Sequence, residues 1–177
     1  MPEEYEPGDD YSSLIFVRVL PNLTADKAID KAKGHIPLGY VFVLDNKYKD
    51  AFWKLPGGHG KKDGNGKSCE TPRATAQREL FGEAGIEAPE KDFEQIACIR
   101  RYRPVPHWLF FFAVNIREAD SHWMGTPHDE NEGERPKFFS VDEFRALVKE
   151  RHFFPPHYSM LDEFSLVLFM GPDVQPA

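Results

Sequence analysis

Cysteine is nearly absent from this chain: Cys69 and Cys98 are the only thiols among 177 residues. A disulfide framework is therefore excluded, and no CxxC pair offers a metal knuckle. The 7 histidines are dispersed, with no HExxH and no paired spacing, so no zinc site is read from them. Long apolar runs are lacking too. The longest, WLFFFAV and SLVLFM, suit a strand and a helix face rather than a membrane span. Basic charge is also in deficit, with 22 Lys and Arg against 29 Asp and Glu, a formal charge of -7 and a pI of about 5.5. Such a chain repels nucleic-acid duplexes and anionic membranes, so a polyanionic ligand has to be held by a local basic cluster or by a metal. The opening MPEEYEPGDD is acidic, the reverse of a signal or transit peptide, and the expected location is cytoplasmic.

What is abundant points to a packed core. Apolar residues make up 41%, and Phe alone supplies 15 residues, enough to rule out a disordered chain. No repeat and no linker divides the sequence, so a single domain over 1–177 is expected, with a flexible N-terminal arm at 1–10 and a tail at 171–177. Strands are expected at 11–20, 39–45, 51–55, 93–103 and 107–117, the last two forming a hairpin, with a short strand in KFFSV. Helices are expected at 24–34, 72–84, 141–150 and 156–170. The clearest is 72–84: Thr71 can cap it, Pro72 suits the first helical position, and Gly85 suits a left-handed C-terminal cap. Mixed strands with flanking helices make the fold class α/β or α+β.

The chemistry concentrates in Leu55–Ile86, LPGGHGKKDGNGKSCETPRATAQRELFGEAGI. Glu79 and Glu83 are four residues apart and share one helix face. Glu70 stands just before the helix, within reach of Arg78 or of a cation at the two glutamates. Hard oxygen donors of this kind suit Mg²⁺ or Mn²⁺, which typically bridge to substrate phosphates. The Pro56-Gly57-Gly58 turn can offer a carbonyl to a metal and amides to a phosphate, with no side chain in the way. Glutamate pairs at this spacing are also common on solvated helix faces. The capped loop and the Arg-Glu pair make the whole pattern more specific than the pair alone.

That whole pattern resembles the signature of the Nudix hydrolases, which runs Gly, five residues, Glu, seven residues, Arg-Glu-apolar, one residue, Glu-Glu, one residue, Gly-apolar. Here Glu70 is followed by seven residues and then by Arg78-Glu79-Leu80, Phe81, Gly82-Glu83, Ala84 and Gly85-Ile86. The box covers about a sixth of the chain, and WKLPGG resembles its usual lead-in. The resemblance implies a Nudix-type α/β/α sandwich around a mixed sheet. It also implies metal ligation by Glu79, Glu83 and the Gly58 carbonyl, and an orienting ion pair between Glu70 and Arg78. Two departures stand out. Eleven residues separate Gly58 from Glu70, so a stretch such as HGKKDG reads as an insertion in a longer, mobile, exposed loop, although Gly64 meets the literal spacing. The first glutamate of Glu-Glu is replaced by Gly82, which supplies no ligand.

The remaining candidates lie outside the box. Among Asp129, Glu130, Glu132 and Glu134, Glu132 is the one placed to replace the missing carboxylate or to act as base; a solvated acidic loop explains the run equally well. Lys61, Lys62 and Lys67 either meet phosphate or are solvated. In Arg100-Arg101-Tyr102-Arg103, Arg101 and Arg103 point one way along a strand and are the expected substrate-phosphate contacts. The resulting expectation is metal-assisted hydrolysis of a phosphoanhydride in a nucleoside diphosphate linked to another moiety. Glu79, Glu83 and Glu132 are its catalytic residues. The alternative is a Nudix-fold nucleotide-binding or regulatory protein with weak or lost catalysis. A homodimer is expected from the long aromatic strands.

Overall fold

The computed structural model describes residues 4–22, 37–45, 52–101, 106–118 and 135–157. The helix expected at 24–34 lies outside them, as does all of the last expected helix beyond His157. The described strands are β1 (Tyr11–Leu20), β2 (Gly39–Asp45), β3 (Phe52–Lys54), β4 (Gly57–His59), β5 (Glu94–Arg101), β6 (His107–Arg117) and β7 (Arg135–Ser140). Two α-helices accompany them, α1 (Pro72–Ala84) and α2 (Val141–Lys149).

The strands form one mixed sheet in the order β3-β2-β1-β6-β5, with β4 added to β1 and β7 to β2. β1 and β6 are parallel along their whole length, from Tyr11 opposite Trp108 to Leu20 opposite Arg117. The other pairings are antiparallel, including the expected β5–β6 hairpin partners. Both faces of β1 and β6 are covered, which is why these segments read as near-continuous apolar runs rather than as clean alternation.

One face packs under α1. There Tyr11, Ile15, Phe110 and Phe112 meet Ala76, Leu80 and Ala84, which recur every four residues along the helix. The opposite face packs under α2, where Phe16, Phe42, Phe111 and Phe139 meet Phe144. A helix on each side of a mixed sheet gives the α/β/α arrangement expected from the sequence. Phe110, Phe111 and Phe112, on which the homodimer expectation leaned, are buried in these two cores.

Helix α1 begins and ends as its sequence dictates. The Thr71 side chain accepts from the Ala74 N–H, and Gly85 adopts φ 66° at the C-terminal cap. Two side chains of β1 fix its first turn: Ser13 Oγ donates to the Pro72 carbonyl at 2.7 Å, and the Tyr11 hydroxyl lies 2.7 Å from Thr75 Oγ1. Because of this anchoring, the box helix takes its position from β1.

Two segments make contacts that the sequence did not announce. The arm is docked through residues 5–10. Tyr5 packs edge-on against Tyr11, Trp108 and Phe110, and Trp108 Nε1 donates to Asp9 at 3.0 Å. Aromatic contact thus overrides the local Pro/Gly composition. The inserted loop is a small hairpin rather than a loose excursion, with Lys62 bridged to Ser68. Asp63 Oδ1 accepts from the N–H groups of Asn65 and Lys67 at 2.8 and 3.0 Å, an Asx-type turn that organises the tip. Ser68 Oγ donates to the Asp9 carbonyl at 2.7 Å, and Lys62 pairs with Asp10 at 3.1 Å, so hairpin and arm hold each other.

Candidate active site

Strand β4 was not expected, because its sequence is Gly-Gly-His. It pairs with β1 at Ser12, Ser13 and Leu14 and thereby sets Gly57 and Gly58 beside the box helix. Close backbone approach requires the first glycine, and the second is pressed against a side chain that can move. A Cβ at Gly57, where φ is +149°, would lie 2.1 Å from the Ser13 carbonyl oxygen. A Cβ at Gly58 would lie 2.6 Å from the Glu79 carboxyl group. By contrast, a Cβ at Gly64 meets nothing within 4 Å, so its literal spacing to Glu70 has no structural counterpart. The glycine facing the acidic helix is Gly58.

Arg78 organises the mouth of the site. Its Nε donates to Glu70 Oε1 at 3.0 Å and its Nη2 to Glu70 Oε2 at 2.9 Å, a forked charge-assisted pair. Nη2 also reaches the His59 carbonyl at 3.0 Å, and Nη1 donates to Glu79. Thr75 and the Lys61 N–H add donors to Glu70. Burial alone would raise the Glu70 pKa; the Arg78 guanidinium, the Lys61 amide and the Thr75 hydroxyl reverse this and hold it at about 2.

Glu79 and Glu83 both line a cavity of about 440 Å³ that also takes in Asp45, Lys54, Gly58 and Ser12. Glu83 is deeply placed, only 4% exposed. Its Oε1 accepts from Lys54 Nζ at 3.1 Å and its Oε2 from the Gly57 N–H at 2.8 Å. Lys54 Nζ also lies 3.8 Å from Asp45 Oδ2. Lys54 and Asp45 are themselves only 8% and 6% exposed, so the three charges form one buried cluster. Among the described residues no group of three or more His, Cys, Asp or Glu side chains gathers as a metal site. A larger groove of about 570 Å³ on α1, by Phe81 and Pro89, lies away from Glu83 and Asp45.

Gly82 leaves open space: nothing lies within 4 Å of a Cβ built there. Packing does not require the glycine. Glu132 and Arg103 lie outside the described residues. Arg101 is exposed at the end of β5, opposite His107, and does not line the cavity. Lys61 and Lys62 are exposed and paired with Glu70 and Asp10.

Several cavity neighbours escaped sequence reading. His107 Nε2 lies 2.9 Å from Ser12 Oγ while its Nδ1 faces Asp10 at 3.3 Å, a contact across almost a hundred residues that no local pattern announces. His157 Nδ1 accepts from the Leu55 N–H at 3.3 Å. Burial, with the Lys54 charge beside it, lowers the His157 pKa to about 3. Lys54 did leave a signal, a lysine between Trp53 and Leu55 in an apolar strand.

Comparison with known proteins bears on the family and the fold. A family model described as NUDIX domain matches residues 29–164. A mutT/nudix family protein from Listeria innocua superposes with a TM-score of 0.53 at 17% identity, covering 92% of this chain and 96% of that one. A MutT structure from work on Aliivibrio salmonicida and Vibrio cholerae gives 0.49 at 16% identity, with 84% and 87% covered. A MutT/nudix family protein from Enterococcus faecalis gives 0.49 at 18% identity over 79% of this chain, which spans 46% of that protein. No curated protein matches. With the NUDIX model spanning residues 29–164, most of the chain, the chain belongs to the Nudix hydrolase family.

Proposed function

We propose that the protein is a metal-dependent hydrolase that cleaves the phosphoanhydride bond of a nucleoside diphosphate linked to another moiety. The observation that supports it is the convergence of Glu79 and Glu83 on one cavity, with the backbone of Gly58 pressed against the Glu79 carboxyl. Two carboxylates and a backbone carbonyl are hard oxygen donors, and they fit a single Mg²⁺ or Mn²⁺. Such an ion, when bound, would neutralise the diphosphate and acidify a water. Glu79 would accept the proton of the attacking water, and Arg78, locked on Glu70, would hold Glu79 in place. Arg101, which stands outside the cavity lining, and Arg103 are assigned to the phosphate of a substrate that extends past the cavity, and Glu132 to a second proton-accepting carboxylate. A cytoplasmic location and a small-molecule substrate accompany this reading.

A second reading is a Nudix-fold nucleotide-binding or regulatory protein with weak or lost catalysis. It is favoured by the absent carboxylate at Gly82 and by Lys54 standing against Glu83.

A panel of nucleoside diphosphate-linked compounds, assayed with Mg²⁺ and again with a chelator, separates the two. Steady release of phosphate-bearing products only with Mg²⁺ supports the hydrolase; binding without turnover supports the second reading. Gly58→Ala is expected to lower kcat by about tenfold or more, because the new Cβ obliges the Glu79 carboxylate to swing away. Gly64→Ala, in open space, is expected to leave kcat unchanged. Equal rates in the two variants would place the box glycine elsewhere.

A further inference from the structure

The cavity contains a cation of its own. Lys54 projects from β3 into the cluster, and its ammonium is enclosed with Glu83 Oε1 at 3.1 Å and Asp45 Oδ2 at 3.8 Å. A buried ammonium requires anionic partners, and these two supply them. The other Glu83 oxygen is held by the Gly57 N–H at 2.8 Å. Each Glu83 oxygen thus has a donor from within the chain. A divalent ion reaching Glu83 Oε1 has to compete with Lys54 for it. Position 82, one residue earlier on the same helix, offers no carboxylate as a substitute and has open space where one would fit.

The two features act in the same direction. Asp45, Glu79 and Glu83 bring three negative charges to the cavity and Lys54 brings one positive charge, leaving a formal balance of -2 in place of -3. A glutamate at 82 would restore the third unit. Lysine at 54 and glycine at 82 both make the site less attractive to a divalent cation, and removing the lysine charge from a buried site a few ångströms away should be felt strongly.

We propose that Lys54 is an internal counter-cation of the box, competing with a divalent metal for Glu83 and keeping metal affinity low. It rests on the proposed hydrolase reading only in placing that metal at Glu79 and Glu83. Lys54 is a positioning residue here, since it acts through Glu83 rather than on the reacting atoms.

The test is Mn²⁺ binding by calorimetry, without nucleotide, to the full chain and to Lys54→Met. The expected result is at least tenfold tighter Mn²⁺ binding by Lys54→Met, with the gain removed in the Lys54→Met/Glu83→Gln double variant. Equal or weaker binding by Lys54→Met, with Mn²⁺ still bound by the wild type, overturns the role of Lys54 and leaves the hydrolase reading intact. Absence of Mn²⁺ binding by every variant overturns both. Should Lys54→Met fail to fold, the wild type labelled with ¹³C at lysine Cε provides the readout. Mg²⁺ is expected to shift one buried lysine resonance as it saturates, and a spectrum in which none moves at saturation overturns the proposal.

Discussion

Glu79→Gln is expected to lower kcat by about 10²–10⁴-fold, the usual worth of a positioned general base, with little loss of thermal stability. The substitution keeps the shape of the side chain and one oxygen that can accept from Arg78. It removes the negative charge that would take a proton or attract a metal. Arg78 keeps its fork on Glu70 through Nε and Nη2, so the mouth of the site stays built. The structural cost is small because Glu79 sits at the lip of the cavity, whereas Glu83 lies at its floor with Lys54 on it. Steady-state rates with Mg²⁺, paired with thermal melts of both proteins, check this. A melt unchanged and a kcat within threefold of wild type would remove Glu79 as base and move attention to Glu132.

Acid is expected to remove stability in two stages, of which the first belongs chiefly to His157. Its folded pKa of about 3 lies below the ordinary value of 6.5, so the folded state keeps the ring neutral while the unfolded chain takes up a proton. The stability tied to the neutral ring is complete above pH 6.5 and is lost as pH falls from there toward 3. Each unit costs about 1.4 kcal/mol, so moving from pH 7 to pH 4 removes about 3 kcal/mol, a large share of the roughly 5–15 kcal/mol that holds a domain together. The first cause is burial of the ring, and a charged ring would also face the Lys54 ammonium; Nδ1 meanwhile accepts from the Leu55 N–H. His157→Asn retains a carbonyl oxygen for Leu55 and cannot acquire charge. Its stability is therefore expected to fall less steeply than that of the wild type between pH 6.5 and pH 4.5 in denaturant titrations. The residual slope belongs to His107, whose pKa burial also lowers. Parallel slopes for wild type and variant would refute the assignment. The second stage is Glu70. Its pKa of about 2 means that the stability it contributes is present above pH 4.5 and lost as pH falls toward 2.

Local sequence signals recovered much of this molecule, for reasons visible in particular residues. Helix α1 was legible because its caps, Thr71 and Gly85, are chemical and local. β1 and β6 were legible because both are rich in β-branched and aromatic residues, which strands covered on both faces bury. β4 was not: a Gly-Gly-His segment has no strand propensity, and it joins the sheet only because β1 presents Ser12–Leu14 beside it. The contacts of the arm were hidden for the related reason that Tyr5 finds aromatic partners a hundred residues away. Within the site, the spacing of Glu79 and Glu83 announced a shared helix face, and Glu70 and Arg78 announced a pair. The partners of Glu83 could not be foreseen. Which cation would face that carboxylate depended on β3 bringing Lys54 beneath the helix, and on Asp45 at the end of β2 facing the same space.

The inserted hairpin bears on how such a box is measured. The Cys69 N–H donates to the Lys61 carbonyl at 2.8 Å, and the Lys61 N–H donates to Glu70 at 3.2 Å. The stretch between 61 and 69 is therefore pinched shut at its neck. Chain length past that neck is a detour: residues can be added to or taken from the tip while Glu70 keeps its distance from Arg78. A ruler that counts residues from glycine to glutamate misjudges this chain, because what the site preserves is the width of the neck. The tip of the hairpin is accordingly the place where the molecule can be lengthened, tagged or trimmed with the least disturbance to the acidic helix.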